Sequence, residues 1–180
     1  RRMLAALGAE LVLTPAAKGM PGAVQKAEEL AARNAHYFMP QQFKNPDNPR
    51  IHYEETAHEI WRQTGRDLAC FVAGVGSGGT LQGVGTFMKE HKPDVKIIAV
   101  EPAACPSLTK GPHTYDFGDT VGMTPLLAMH SLGHTFVPAP IHAGGLRYHG
   151  MAPLISHLAR LGIIAPRSYH QTECFAAGVQ

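Results

Sequence analysis

The stretch Gly74-Val75-Gly76-Ser77-Gly78-Gly79-Thr80 has the residue types and spacing to do chemistry. It follows the apolar run Leu68-Ala69-Cys70-Phe71-Val72-Ala73 and precedes a helical segment that ends near His91. A strand feeding a glycine turn that opens a helix leaves unpaired backbone N–H groups at the positive end of the helix dipole. Glycine also lets the main chain approach an anion closely, so a phosphate is the natural guest. Read as Gly74-x-Gly76-x-x-Gly79, the same residues satisfy the dinucleotide fingerprint, and Glu101 stands 22 residues beyond Gly79, where a ribose-binding acid would sit. The structural alternative for Glu101 is a solvated carboxylate at a strand end. No Gly-Lys-Ser/Thr follows, which removes the P-loop reading.

The other chemistry-bearing residues form no comparable set. His130 and His134 are four apart but flank Gly133, and His170 and Cys174 are four apart without a second pair, so no metal site is assigned. Ser77 lacks the spacing of a nucleophile elbow, and Cys70 falls mid-strand as inert core. Cys70, Cys105 and Cys174 are scattered and odd in number, which predicts free thiols, a reducing compartment and a cytoplasmic location.

The elements that must position the glycine turn alternate strand and helix. Leu11–Thr14 and Tyr37–Met39 read as short strands, Pro21–Asn34 as a helix, and Gln41–Pro49 as a loop broken by two prolines. A helix over His52–Thr64 ends at Gly65. The strand Leu68–Ala73 reads as buried on both faces, and Lys96–Glu101 is the next strand. Residues 103–145 are rich in proline, glycine and histidine and read as a long ordered loop. Helices are expected over Leu146–Leu161 and from Thr172, the latter capped by Thr172. The repeated units predict an α/β fold with a doubly wound parallel sheet. The chain opens inside an amphipathic helix at Arg2–Gly8 and stops at Phe175–Gln180 without a closing turn, so both ends read as cut.

Composition limits the partners. Of the 180 residues, 44% are hydrophobic and 17% charged, and 16 basic against 14 acidic side chains leave no basic stripe for nucleic acid or a membrane surface. No apolar run reaches the roughly 18 to 20 residues of a membrane span.

Longer motifs carry a resemblance. Gly8-Ala9-Glu10-Leu11-Val12-Leu13-Thr14, Gly19-Met20-Pro21-Gly22-Ala23, Gln41-Gln42-Phe43 with Asn45-Pro46 and Asn48-Pro49, Glu59-Ile60-Trp61 and Val72–Thr80 occur in one order. Through them, residues 1–101 resemble the cysteine synthase (O-acetylserine sulfhydrylase) family. That family usually has Gly-Pro where Ala57-His58 stands. From about Val100, Glu101-Pro102, Ala104–Gly111, Tyr115–Thr120, Thr124–Leu127 and Ile141–Met151 resemble the second type of tryptophan synthase beta chain, so the chain reads as a chimera or fragment with a family switch near 101.

The resemblance implies the tryptophan synthase beta-like (fold type II) superfamily, incomplete, and the cofactor pyridoxal 5'-phosphate. Residues 1–40 would be a remnant of the smaller N-terminal domain and 41–180 the truncated larger, phosphate-binding domain. Gly76, Ser77, Gly78, Gly79 and Thr80 match the cofactor-phosphate loop, and Gln42 matches a glutamine near the substrate carboxylate. The implied activity is β-replacement on an activated serine in amino-acid biosynthesis, a transferase or lyase reaction with sulfide or, alternatively, indole as nucleophile. The substrate would be a small amino acid and the parent a homodimer. The family's Schiff-base lysine would precede Arg1, so no catalytic residue is assigned and the chain alone is expected not to turn over. A dinucleotide-binding domain and a non-catalytic interaction module remain the rival readings.

Overall fold

The computed structural model describes residues 1–118, 124–142 and 145–180, with the side chains of 19–21 left aside. The chain divides into two units, Arg1–Pro40 and Gln41–Gln180.

The first unit holds α1 (Arg2–Ala6), a 3-10 turn at Ala16–Lys18 and α2 (Gly19–Arg33). The strands expected at Leu11–Thr14 and Tyr37–Met39 are absent. An apolar run supplies β propensity, but a strand exists only with a hydrogen-bonded partner, and no described segment of this unit provides one.

The second unit opens with α3 (Asp47–Ile51), which passes through one π-helical turn at His52–Thr56 into α4 (Ala57–Gln63). The helix therefore starts inside the expected loop, because Asn45 accepts from the Asp47 N–H at 2.9 Å and starts the turn. Then come β1 (Cys70–Gly74), α5 (Gly79–His91) and β2 (Lys96–Pro102). The rest comprises α6 (Ser107–Lys110), β3 (His113–Phe117), β4 (Leu126–His130), α7 (Pro153–Arg160), β5 (Ile164–Tyr169) and α8 (Gln171–Gly178).

The sheet is parallel with order β1-β2-β5; Phe71 pairs with Ile97, and Ile97 with Ile164. α5 carries the chain from β1 to β2 and packs Leu81, Val84, Phe87 and Met88 into the core with Phe71, Ile97, Ile155 and Ile164. Only one face of β1 is covered: Phe71 is buried, whereas its neighbour Val72 is 56% exposed, against the expectation of burial on both faces.

Residues 103–145 contain more structure than a loop. β3 and β4 form an antiparallel pair with His113 opposite His130 and Phe117 opposite Leu126. The Asp119-Thr120 and Ala143-Gly144 parts of the sequence motifs lie outside the described residues. The helix expected over Leu146–Leu161 begins only at Pro153, where proline suits the first turn. β5 was not foreseen, since Pro166 breaks its apolar pattern, yet an edge strand tolerates a proline. α8 is capped by His170 rather than Thr172: the His170 N–H donates to Glu173 Oε2 at 2.8 Å in a capping box.

Candidate functional site

The β1–β2 ladder ends where the Val75 N–H donates to the Val100 carbonyl at 2.9 Å, and α5 begins where the Gln82 N–H donates to the Gly78 carbonyl at 2.8 Å. Between them, the N–H groups of Gly76 through Leu81 have no partner among the described residues. Helix starts leave such donors orphaned, and six in sequence at the foot of a helix make a strong local field for an anion. Gly78 has φ +87°, a left-handed conformation that a side chain would strain, and Ile155 Cγ1 would lie 2.8 Å from any Cβ there.

These donors line a cleft of about 300 Å³ that also takes in Gln42, Gly145 and Tyr148. The structure thus brings Gln42 and all of Gly76–Thr80 to one cavity. Neither Gly145 nor Tyr148 was assigned to a site from the sequence; they arrive from the Ile141–Met151 motif, whose His142–Gly150 part the tryptophan synthase resemblance puts near the substrate side. The Tyr148 ring packs edge-on against Phe43 with centroids 5.7 Å apart, and burial raises its phenol above the ordinary range. It faces the cleft as a neutral hydroxyl.

The wall behind the turn is polar and ordered. Asn48 donates to the Ser77 hydroxyl oxygen at 3.0 Å, and His52 Nε2 lies 3.1 Å from the Thr80 hydroxyl while its Nδ1 lies 3.0 Å from that of Thr56. A doubly charged phosphate needs several donors, close main-chain approach and no adjacent carboxylate; the turn offers the first two, and no carboxylate is among the described residues that line the cleft.

Glu101 does not serve a ribose, nor is it solvated. Only 3% exposed, its carboxylate accepts from the Leu108 and Thr109 N–H groups at 2.8 and 2.7 Å and from the Thr109 and Ser107 hydroxyls at 2.6 and 3.3 Å. All its acceptor capacity goes to α6, which removes the dinucleotide reading's second element.

A second polar cluster is built around His149, the next residue after Tyr148 in the chain. His149, 6% exposed, donates from Nε2 to the Phe117 carbonyl at 2.8 Å, and its own carbonyl accepts from the Leu132 N–H at 2.7 Å. Asp116 accepts from the Ser131 hydroxyl, from the Phe117 N–H at 2.8 Å and from His134 Nδ1 at 2.9 Å. Burial works to raise this carboxyl, but those hydrogen bonds outweigh it and hold it below the ordinary 3.8. A depressed carboxylate contributes stability that is complete at neutral pH and is lost as the pH falls below 3.8 through the lowered value. Urea unfolding across pH should therefore show an acid limb that flattens in Asp116→Asn, which should also cost about 1–3 kcal/mol at pH 7. An unchanged limb would assign the acid sensitivity elsewhere.

The remaining histidines scatter. His130 Nδ1 bonds the Gly111 carbonyl at 2.8 Å, and the His142 ring lies against Phe175. Among the described residues no three metal-capable side chains converge, and no lysine lines the cleft.

The sequence profile of the family described as pyridoxal-phosphate dependent enzyme matches residues 1–143. The chain belongs to this family. It is 62% identical over 90 residues to tryptophan synthase beta chain 2 of Aquifex aeolicus, covering 50% of this chain and 21% of that protein. With the namesake from Aeropyrum pernix it shares 47% over 125 residues, 67% of this chain and 28% of the other. That aligned length exceeds the segment from 101 to 180, so this likeness runs back across position 101.

Among solved structures, the cysteine synthase of Entamoeba histolytica matches with TM-score 0.65 and 32% identity over 93% of this chain and 42% of that one. The O-acetylserine dependent cystathionine beta-synthase of Helicobacter pylori matches with TM-score 0.62 and 31% identity over 93% and 46%. The chain thus spans about a quarter of the curated relatives and under half of the solved ones. The fold is the α/β parallel-sheet fold of these pyridoxal-phosphate enzymes, over part of its extent.

Proposed function

We propose that this chain is the phosphate-holding part of a pyridoxal-phosphate dependent β-replacement enzyme of amino-acid biosynthesis, of the cysteine synthase type. The row of unpartnered N–H groups from Gly76 to Leu81 carries this reading. In it, the backbone of Gly76–Thr80 and the Ser77 and Thr80 hydroxyls hold the cofactor phosphate, and Gln42 offers its amide to the substrate carboxylate. The bound cofactor would supply the electron sink for chemistry at the amino acid's α and β carbons. Residues of this chain bind, orient and exclude water: Tyr148 walls the cleft beside Gly76, and Phe43 backs Tyr148. None of them is assigned a proton transfer.

The spelling of the glycine turn and the cysteine synthase neighbour at 32% identity over 93% of the chain support sulfide as nucleophile. The 62% identity to a tryptophan synthase beta chain 2 favours, as a second reading, a relative that takes indole. We place residues 1–40 as part of the smaller domain and 41–180 within the larger one of a cytoplasmic homodimer that takes a small amino acid. No helix among the described residues is long and apolar enough to cross a membrane.

Titrating the chain with pyridoxal phosphate while following its ³¹P resonance should give saturable binding that inorganic phosphate competes away. Saturable enhancement of NADH fluorescence with no phosphate competition would overturn the reading. Borohydride reduction of the loaded chain, followed by peptide mapping, should leave no lysine specifically labelled, because the cleft presents none. A single stoichiometrically labelled lysine would show that one of the chain's own lysines reaches the cofactor.

A further inference from the structure

Asn48, in the first turn of α3, has its side chain where a Cβ on Gly79 would stand, which is why that position takes glycine. Its Nδ2 donates to the Gln42 main-chain carbonyl at 2.8 Å and to Ser77 Oγ at 3.0 Å. A carbonyl only accepts, so the amide must turn its nitrogen, not its oxygen, toward Gln42. The same nitrogen faces Ser77, and an amide nitrogen only donates, so Ser77 Oγ is fixed as acceptor. The Ser77 proton must then point elsewhere. No described residue accepts it, and Ser77 lines the cleft.

We propose that Asn48 is a positioning residue that commits the Ser77 hydroxyl to donate into the cleft and, through its second proton, ties the Gln42 segment to the phosphate cradle. The two subsites, one for phosphate and one for a carboxylate, are then built by a single side chain and assemble together. The inference rests on the cradle reading above and adds to it the source of the Ser77 donor direction and a link between the subsites.

The test uses the 180-residue chain and inorganic phosphate, with affinities from ³¹P titration. Ser77→Ala should weaken binding about tenfold, the scale of one hydrogen bond to a charged group. Asn48→Ala should weaken it about fivefold alone but less than about twofold when Ser77→Ala is already present, since it acts through that hydroxyl. Asn48→Asp keeps the volume beside Gly79 but accepts the Ser77 proton, and should cost at least about tenfold. Melting temperatures read alongside separate a lost donor from a lost fold. In ¹⁵N spectra, phosphate saturation should shift the Gln42 amide in the native chain and not in Asn48→Ala.

A native chain that binds no phosphate would overturn the cradle reading and this inference with it. Native binding with losses that simply multiply in the double variant, or an unchanged Asn48→Ala, would overturn the role of Asn48 alone.

Discussion

A chain carrying Ser77→Asp is expected to bind pyridoxal phosphate at least about a hundredfold more weakly than the native chain while melting within a few degrees of it. The substitution is locally tolerable because Asn48 donates to Ser77 Oγ, and a carboxylate at the same place accepts that bond at least as well. What changes is the field. Two unit charges about 4 Å apart repel by roughly 4 kcal/mol at the effective dielectric of a protein surface, and a dianion roughly doubles this before solvent screening reduces it. Half of that repulsion surviving still exceeds two powers of ten. Ser77→Ala, which removes one donor and adds no charge, should cost only about tenfold. The ordering of the two variants, read by ³¹P titration, distinguishes a phosphate seated on the glycine turn from one bound elsewhere. If Ser77→Asp binds within about fivefold of native, the phosphate does not sit at Ser77.

The glycine turn was legible because its requirements are local: a positive φ at Gly78, close main-chain approach, and a helix starting one residue later are written in adjacent letters. What completes the cleft was not. Asn48 and Tyr148 reach Ser77 and Gly76 from 29 and 72 residues away in sequence, and no period or motif announces that they meet. Glu101 shows the same limit in reverse. Its position at the end of β2 matched a ribose-binding acid, but four donors on α6 consume it, and their approach depends on a turn at Cys105–Ser107 that the prolines disguised. Leu11–Thr14 and Tyr37–Met39 had strand propensity without a ladder partner among the described residues, whereas β5 has a partner in β2 that outweighs Pro166. Propensity names candidates; the ladder decides among them.

Two glycines on α5, two residues apart, should respond to alanine in opposite directions. A Cβ on Gly83 would overlap the Pro49 carbonyl oxygen and lie 2.7 Å from His52 Cβ and 2.8 Å from the Tyr53 nitrogen, so α5 would have to move off α3 and the π-helical turn. Two of those obstacles are main-chain atoms that no rotamer change can remove. Gly83→Ala should therefore cost about 3 kcal/mol, a fall of about 6–12 °C in Tm for a chain of this size. A Cβ on Gly85 meets only Ile97 Cγ2 at 3.8 Å, an ordinary contact, so Gly85→Ala should gain about 0.5–1 kcal/mol from helix propensity. The contrast also reaches the site. Pro49 directly follows Asn48, which meets Ser77, and His52 itself meets Thr80, so the shift forced at Gly83 stretches both contacts. Phosphate affinity should drop severalfold in Gly83→Ala and stay native in Gly85→Ala. Equal melting temperatures for the two variants would mean that α5 does not depend on close approach at Gly83, and that the cradle is not held in place from α3.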